Sequence, residues 1–199
     1  MEKYKTRQIV TAVVSIIVIV IAIAALVSIA RFMFFSGANT SSQVSQSESA
    51  LVSTDADRAV KMTVRGPIVA NENFHTYQIT VTPNVRTLTV FSGYKNQVSK
   101  KISLGNNIPA YEQFVYALDR ANMMRGTELT GDANDQRGVC ATGSVYDFDI
   151  LQSGKSIKQL WTSTCNNAHG SLSATLSTLR QLFNAQIPDV DSAISSFRQ

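Results

Sequence analysis

The sequence is poor in the residues that do chemistry. Its 199 residues include two histidines, two cysteines and one tryptophan. No C-x-x-C pair occurs, which excludes the usual redox motif, and no complete set of metal ligands is present. No G-x-S-x-G elbow marks a serine nucleophile, and no internal repeat points to a solenoid. Positive charge is also scarce where it would matter for nucleic acid. The net charge of +4 is concentrated at the N-terminus, and beyond Arg31 fourteen Lys and Arg stand against thirteen acids. A part so close to neutral lacks the basic footprint of a nucleic-acid binder.

What is present begins with a long apolar run. Residues 9–30, IVTAVVSIIVIVIAIAALVSIA, carry no charge, Gly or Pro. About 20 predominantly apolar residues span a bilayer as a helix. Lys3, Lys5 and Arg7 precede the run, and only Arg31 follows, beside Phe32, Met33, Phe34 and Phe35. Positive flanks stay inside and aromatics suit the interface, so the N-terminus is expected in the cytoplasm and the rest outside. A cleaved signal peptide is the alternative, with Ser28 and Ala30, or Ala22 and Ala24, as its small residues. Signal h-regions are shorter, about 7–15 residues. Both readings place the C-terminal part across the membrane. No Cys lies near the run, so lipidation at a Cys there is excluded.

Outside the cytoplasm thiols oxidise, and Cys140 and Cys165 are expected to form one disulfide. The turn at 152–155 folds the strands that end in these residues back on each other, which brings the two cysteines near.

The expected organisation is a cytoplasmic tail at 1–8, an anchor with interfacial aromatics at 9–35, a linker at 36–59 and an extracytoplasmic domain at 60–199. Residues 36–57 include seven Ser and no aromatics, a composition that buries too little apolar surface to order itself. As a coil it spans on the order of 25 Å. A short helix over 50–59 is left open, and Asn39-Thr40-Ser41 is a lone glycosylation sequon.

Within the domain, 61–70 is a candidate first strand interrupted by Gly66-Pro67. Tyr77, Ile79 and Val81 alternate, Pro83-Asn84 turns the chain, and 85–91 returns as the second arm of a hairpin. Residues 97–104 make a further strand. Asn107 and Pro109 open a helix carrying Ala110, Phe114, Ala117, Leu118 and Ala121, with Gly126 as its stop. Tyr146, Phe148 and Ile150 alternate with Asp147 and Asp149, and 157–164 is the partner strand. Ser171 is expected to cap a second helix with Leu172, Leu176, Leu179 and Phe183 in one stripe, ended by Pro188. Asp189 then caps a short helix carrying Val190, Ala193, Ile194 and Phe197. This order predicts an α+β domain, an antiparallel sheet with two main helices and a short C-terminal one.

Candidate chemistry is thin. Asp132, Asn134 and Asp135, followed by Gly138, are the best metal candidates, since closely spaced oxygen ligands before a Gly suit calcium. The EF-hand Glu is absent, and a solvated Asx turn explains the same residues. His75 and His169 lack an evident nucleophile or orienting carboxylate. A pairing of His169 with Cys165 disappears if Cys165 is oxidised. Asp147 and Asp149 are a carboxylate pair of the kind glycosidases use, but alternate acids on a strand usually form its solvated side. Lys95, Lys100 and Lys101 suit anionic lipid or polymer, or a guarded sheet edge. Tyr94, Tyr111 and Tyr116 are candidates for a contact surface.

The segments Arg137-Gly-Val-Cys-Ala-Thr-Gly143, Leu160-Trp-Thr-Ser-Thr-Cys165 and Gln186-Ile-Pro-Asp189 resemble those of uncharacterised single-pass exported proteins from reduced-genome, episymbiotic bacteria. The resemblance covers roughly residues 77–189, implies no activity, and implies a bacterial cell-surface protein. The expectation is therefore a membrane-anchored, non-catalytic domain without cofactor that binds a protein or a surface polymer. A small envelope hydrolase and an accessory subunit of an envelope complex are the alternatives.

Overall fold

The computed structural model describes residues 46–166, 168 and 170–195. The apolar run at 9–30, the sequon, the first part of the linker, His169 and Phe197 lie outside them. Among the described residues no helix is long and apolar enough to cross a membrane.

The fold is α+β. Six strands form one antiparallel sheet: β1 Arg58–Arg65, β2 His75–Val81, β3 Val85–Ser92, β4 Gln97–Gly105, β5 Val145–Gln152 and β6 Lys155–Ser163. Their order across the sheet is β4-β3-β2-β1-β5-β6, so the first strand lies in the interior. Turn chemistry sets the registers. Between β2 and β3 the Thr82 hydroxyl accepts from the Val85 amide at 2.9 Å, and Pro83 fixes the first turn dihedral. Between β5 and β6, Ser153 and Gly154 both take positive φ (50° and 77°), the two-residue turn whose twist matches the strands. Ser153 is also held by Asp57, its amide donating to the Asp57 carbonyl at 2.8 Å.

Period-2 alternation puts Val60, Met62, Val64, Ile79, Leu88, Phe148 and Leu160 on one face, all buried. Helices cover it. α1 spans 46–52, α2 Ile108–Arg120, α3 Leu176–Asn184 and α4 Val190–Ala193. Asn107 caps α2 as expected, its side chain accepting from the Ala110 amide at 2.9 Å. Tyr111, Phe114, Val115 and Leu118 form the buried stripe of α2. Phe183 of α3 meets Phe114 edge-on, with ring centroids 5.3 Å apart, and packs against Phe148 of the sheet. Burial of each such side chain contributes about 1.5–3 kcal/mol.

Four expectations are corrected. Residues ahead of Val60 belong to the compact unit, because Leu51 of α1 is buried in the main core. β1 starts at Arg58 and ends before Gly66-Pro67, where proline removes a ladder donor. Helix α2 ends six residues before Gly126, with Asn122 in the left-handed region, and Gly126 instead bridges to Leu172. Ser171 caps no helix. Its hydroxyl accepts from the Trp161 amide at 2.9 Å, and the Ser173 amide donates to the Arg125 carbonyl at 2.8 Å. Residues 171–173 thus lie along the outer edge of β6, which delays α3 to Leu176.

Candidate binding groove

The second face of the sheet begins as a polar surface and is partly roofed. Alternation places Lys61, Thr63 and Arg65 of β1 there, with Thr76 and Gln78 of β2, Asp147 and Asp149 of β5, and Gln159 and Trp161 of β6. The loop 127–144 lies over the β1-β5-β6 half. Asn134 accepts from the Trp161 indole at 3.0 Å, and the Ile68 amide donates to the Ala141 carbonyl at 2.8 Å. Cys140, Val145 and Trp161 form a small apolar cluster beneath the loop, flanked by Leu129 and Val139.

This roof overturns the expectation that Asp147 and Asp149 form a solvated side. They are 5% and 2% exposed. Buried charge must be paired or neutralised, and both carboxylates find partners. Asp149 lies 3.4 Å from the Lys61 ammonium and accepts from the Ser156 hydroxyl at 2.7 Å. Asp147 accepts from the Gln136 amide at 2.6 Å and the Gln159 amide at 3.2 Å, with the Arg65 guanidinium 3.9 Å away. Burial pushes the Asp147 carboxyl above its ordinary value, against the opposing pull of Gln136 and Arg65 and with a further push from Asp149. Both carboxylates are buried and engaged by these partners, and neither lines the groove described below.

The calcium candidates are engaged elsewhere. Asp132 and Asn134 lie in a 3-10 turn, Gly131–Asn134, and Asn134 holds Trp161. Asp135 accepts from Arg137 through both carboxylate oxygens at 2.9 Å, and that guanidinium holds its pKa down at about 2. Among the described residues no three His, Cys, Asp or Glu gather to hold a metal ion. His75 opens β2, its Nδ1 2.8 Å from the Asn73 carbonyl oxygen. The tyrosines do not form one surface: Tyr111 is buried, Tyr116 is on α2, and Tyr94 is at the β3–β4 turn. Lys100 and Lys101 stand on β4, the outermost strand on its side of the sheet.

The expected disulfide is present. Cys140 and Cys165 are bonded, with Cα atoms 5.6 Å apart. It fixes the end of the roofing loop to the end of β6. Gly143 packs so close to it that an added Cβ would stand 2.8 Å from the Cys140 sulfur. A disulfide is compatible with an extracytoplasmic domain.

Between the roof and the uncovered half of the sheet lies a groove of about 650 Å³. Its floor is Thr63, Arg65, Thr76, Gln78 and Phe91, from three adjacent strands. One wall is the segment Gln136 to Cys140, and the other is built from Ile68, Phe74 and Tyr94. Phe74 and Tyr94 stack, with centroids 4.0 Å apart and planes 11° apart. The stack is fixed by three polar contacts: Tyr94 donates its hydroxyl to the Val69 carbonyl at 2.8 Å, its amide binds Asn71, and Gly93 donates to the Phe74 carbonyl. Gly93 takes φ +67° there, and an added Cβ would meet the Asn71 side chain. Ile68 and Tyr94 are about half exposed, so the rim is apolar and open.

Both cations of the groove are neutralised in place. Arg65 donates to Gln136 and faces Asp147, while Arg137 is held by Asp135. A second hollow, about 750 Å³, lies where α3 meets the sheet, lined by Tyr146, Arg180, Asn184 and Asp191. Its guanidinium is bonded to the Tyr146 phenol, which raises the Arg180 pKa further. Neither a family model nor a curated protein sequence matches this chain, and the groove is read from its own geometry. Of its residues, the sequence pointed to Tyr94 as a contact residue, Cys140 as half of the disulfide and Gly138 as the end of the acidic loop. The Thr76-Gln78-Thr80 alternation of β2, beside Lys61, Thr63 and Arg65 of β1, was the available signal for a polar floor.

Proposed function

We propose that this chain is a membrane-anchored, extracytoplasmic, non-catalytic domain that binds its partner in the groove between Tyr94 and the disulfide-fixed loop. The apolar stretch 9–30 serves as the anchor, the basic residues before it keep the N-terminus in the cytoplasm, and the Ser-rich residues after it act as a tether. The Cys140–Cys165 bond supports the extracytoplasmic placement.

The composition of the groove carries the reading. Among the described residues it is lined by hydroxyls, amides, paired guanidiniums and apolar side chains, and by neither histidine nor carboxylate. Such groups bind and orient a ligand, but none takes and returns a proton near neutral pH as general catalysis requires. A site of mixed apolar and convergent polar character is the usual form of a recognition pocket.

The test uses living cells. External protease should release the domain by cutting ahead of Gln46, with permeabilised outer membranes where one exists. Protection of the domain under those conditions, with the cytoplasm sealed, excludes the orientation. Gln78→Trp, which fills the groove floor, should abolish the phenotype lost on deleting the chain, while His75→Gln with His169→Gln should leave it intact. The opposite pattern, in protein with unchanged thermal unfolding, overturns the binding reading in favour of a hydrolase.

A further inference from the structure

The groove's chemistry narrows the class of ligand, on the reading that it is a binding site. We infer that it takes a neutral carbohydrate chain, seated with one sugar ring against Tyr94 and its hydroxyls on the floor of β1 and β2.

Charge comes first. Arg65 and Arg137 are the cations in the lining, and each already faces a carboxylate, Asp147 at 3.9 Å and Asp135 at 2.9 Å. A phosphate or uronate would have to compete with these carboxylates for the same guanidiniums. A cationic ligand would meet the two guanidiniums with no carboxylate in the lining to receive it. Complementarity therefore favours an uncharged molecule.

Hydrogen-bonding capacity comes second. Thr63, Thr76, Gln78 and Asn96 each donate and accept. A sugar hydroxyl also does both, and this pairing satisfies each without a net charge. The Thr76 hydroxyl is the most telling. Thr76 is 6% exposed and on the groove face, and its Oγ1 finds no partner among the described residues. A buried hydroxyl without a partner keeps its desolvation cost uncompensated. A χ1 rotation exchanges its oxygen and methyl positions, which lets a seated ligand hydroxyl satisfy it.

Shape comes third. Tyr94 is 48% exposed, with one ring face covered by Phe74 at 4.0 Å. The other face is a rigid platform, held by the hydroxyl bond to Val69. The flat C–H face of a pyranose is the uncharged surface that fits such a platform while its rim remains polar. An extended peptide fits less well. Peptides added to a sheet bond through the backbone of an exposed edge, and this floor is made of β1, β2 and β3, whose backbones are already paired with neighbours on both sides.

The experiment uses the full chain in detergent micelles, applied to two arrays. One carries neutral oligomers of glucose, mannose, galactose and N-acetylglucosamine beside uronate and phosphate-bearing glycans. The other carries apolar and acidic peptides. At least one neutral oligomer should be retained. By titration calorimetry, Tyr94→Leu and Gln78→Leu should each weaken it about tenfold or more, the loss of one good contact. Tyr116→Leu, on α2 away from the groove, should leave it unchanged, and thermal unfolding should show all three variants folded. Retention of no neutral glycan, retention of the anionic glycans alone, or neutral binding that survives both groove changes overturns the inference. A peptide that binds and is lost in the same two variants overturns the carbohydrate assignment and keeps the groove as a binding site. Failure of every ligand overturns both.

Discussion

Removing the Cys140–Cys165 bond should cost stability in an amount that the chain itself sets. The two residues are 25 positions apart, so the bond closes a loop of about 26 residues containing the whole β5–β6 hairpin. In the chain-entropy account such a loop restricts the unfolded chain by about 3.5 kcal/mol at 25 °C. The double change Cys140→Ala with Cys165→Ala is preferable to serine, because Cys140 is 4% exposed and a serine hydroxyl would need a partner there. Urea unfolding of the two proteins should show equal slopes and a difference of about 3–4 kcal/mol, and thermal unfolding a drop of roughly 7–14 °C. Hydrogen exchange should quicken first in the loop 127–144, which loses its fixed end. A difference below about 1 kcal/mol at equal slope would refute the reasoning. It would mean that the unfolded chain already holds the hairpin together and gains little freedom when the bond is cut.

Asp147→Asn tests the buried carboxylate. Burial raises the folded pKa of Asp147 above its unfolded value, so its contribution to stability is full below about 3.9 and is lost as pH rises through the raised value. Unfolding series from acid to neutral pH should show wild type losing stability relative to the variant across that window, and a relative gain would contradict the assignment. Gly126→Ala should cost about 3 kcal/mol, since the new Cβ lands on the Ser171 carbonyl and a backbone segment must move. Denaturation with an unchanged midpoint would show that the bridge to Leu172 is dispensable. Asn107→Ala should cost about 1 kcal/mol by leaving the Ala110 amide uncapped, measured as a shift in urea midpoint.

The strands and helix α2 were legible because each carries its own period. Tyr77, Ile79 and Val81 against Leu88 and Val90 specify a hairpin without knowledge of anything else, and Asn107-Ile108-Pro109 specifies a helix start by local chemistry. What escaped depends on partners far along the chain. Asp147 and Asp149 look solvated because their neighbours Tyr146, Phe148 and Ile150 supply a complete one-sided pattern. Their cover, the loop 127–144, is itself polar and reads as exposed. The clue was Lys61 and Arg65, basic residues at even spacing on another strand, which become counterions only when β1 and β5 are paired. Ser171 failed for a related reason. A Ser before an apolar run is a good cap signal, yet here Trp161 claims its hydroxyl. Leu51 was hidden by the Ser-rich composition around it. The groove was least visible, because its floor is assembled from three strands and its walls from three loops.

The position of β1 has a mechanical consequence. It is the first strand of the described residues yet is flanked along its length by β2 and β5. A pull on the N-terminal end therefore enters the middle of the sheet. Ladder hydrogen bonds run across the strands, so tension along β1 loads both ladders in shear, many bonds at once, and does not peel them singly. Thr63 and Arg65 of the same strand form part of the groove floor. A load applied at the groove and a load that reaches β1 from the N-terminal side through α1 thus meet in one strand, and α2, α3 and the β5–β6 turn lie off the line of force.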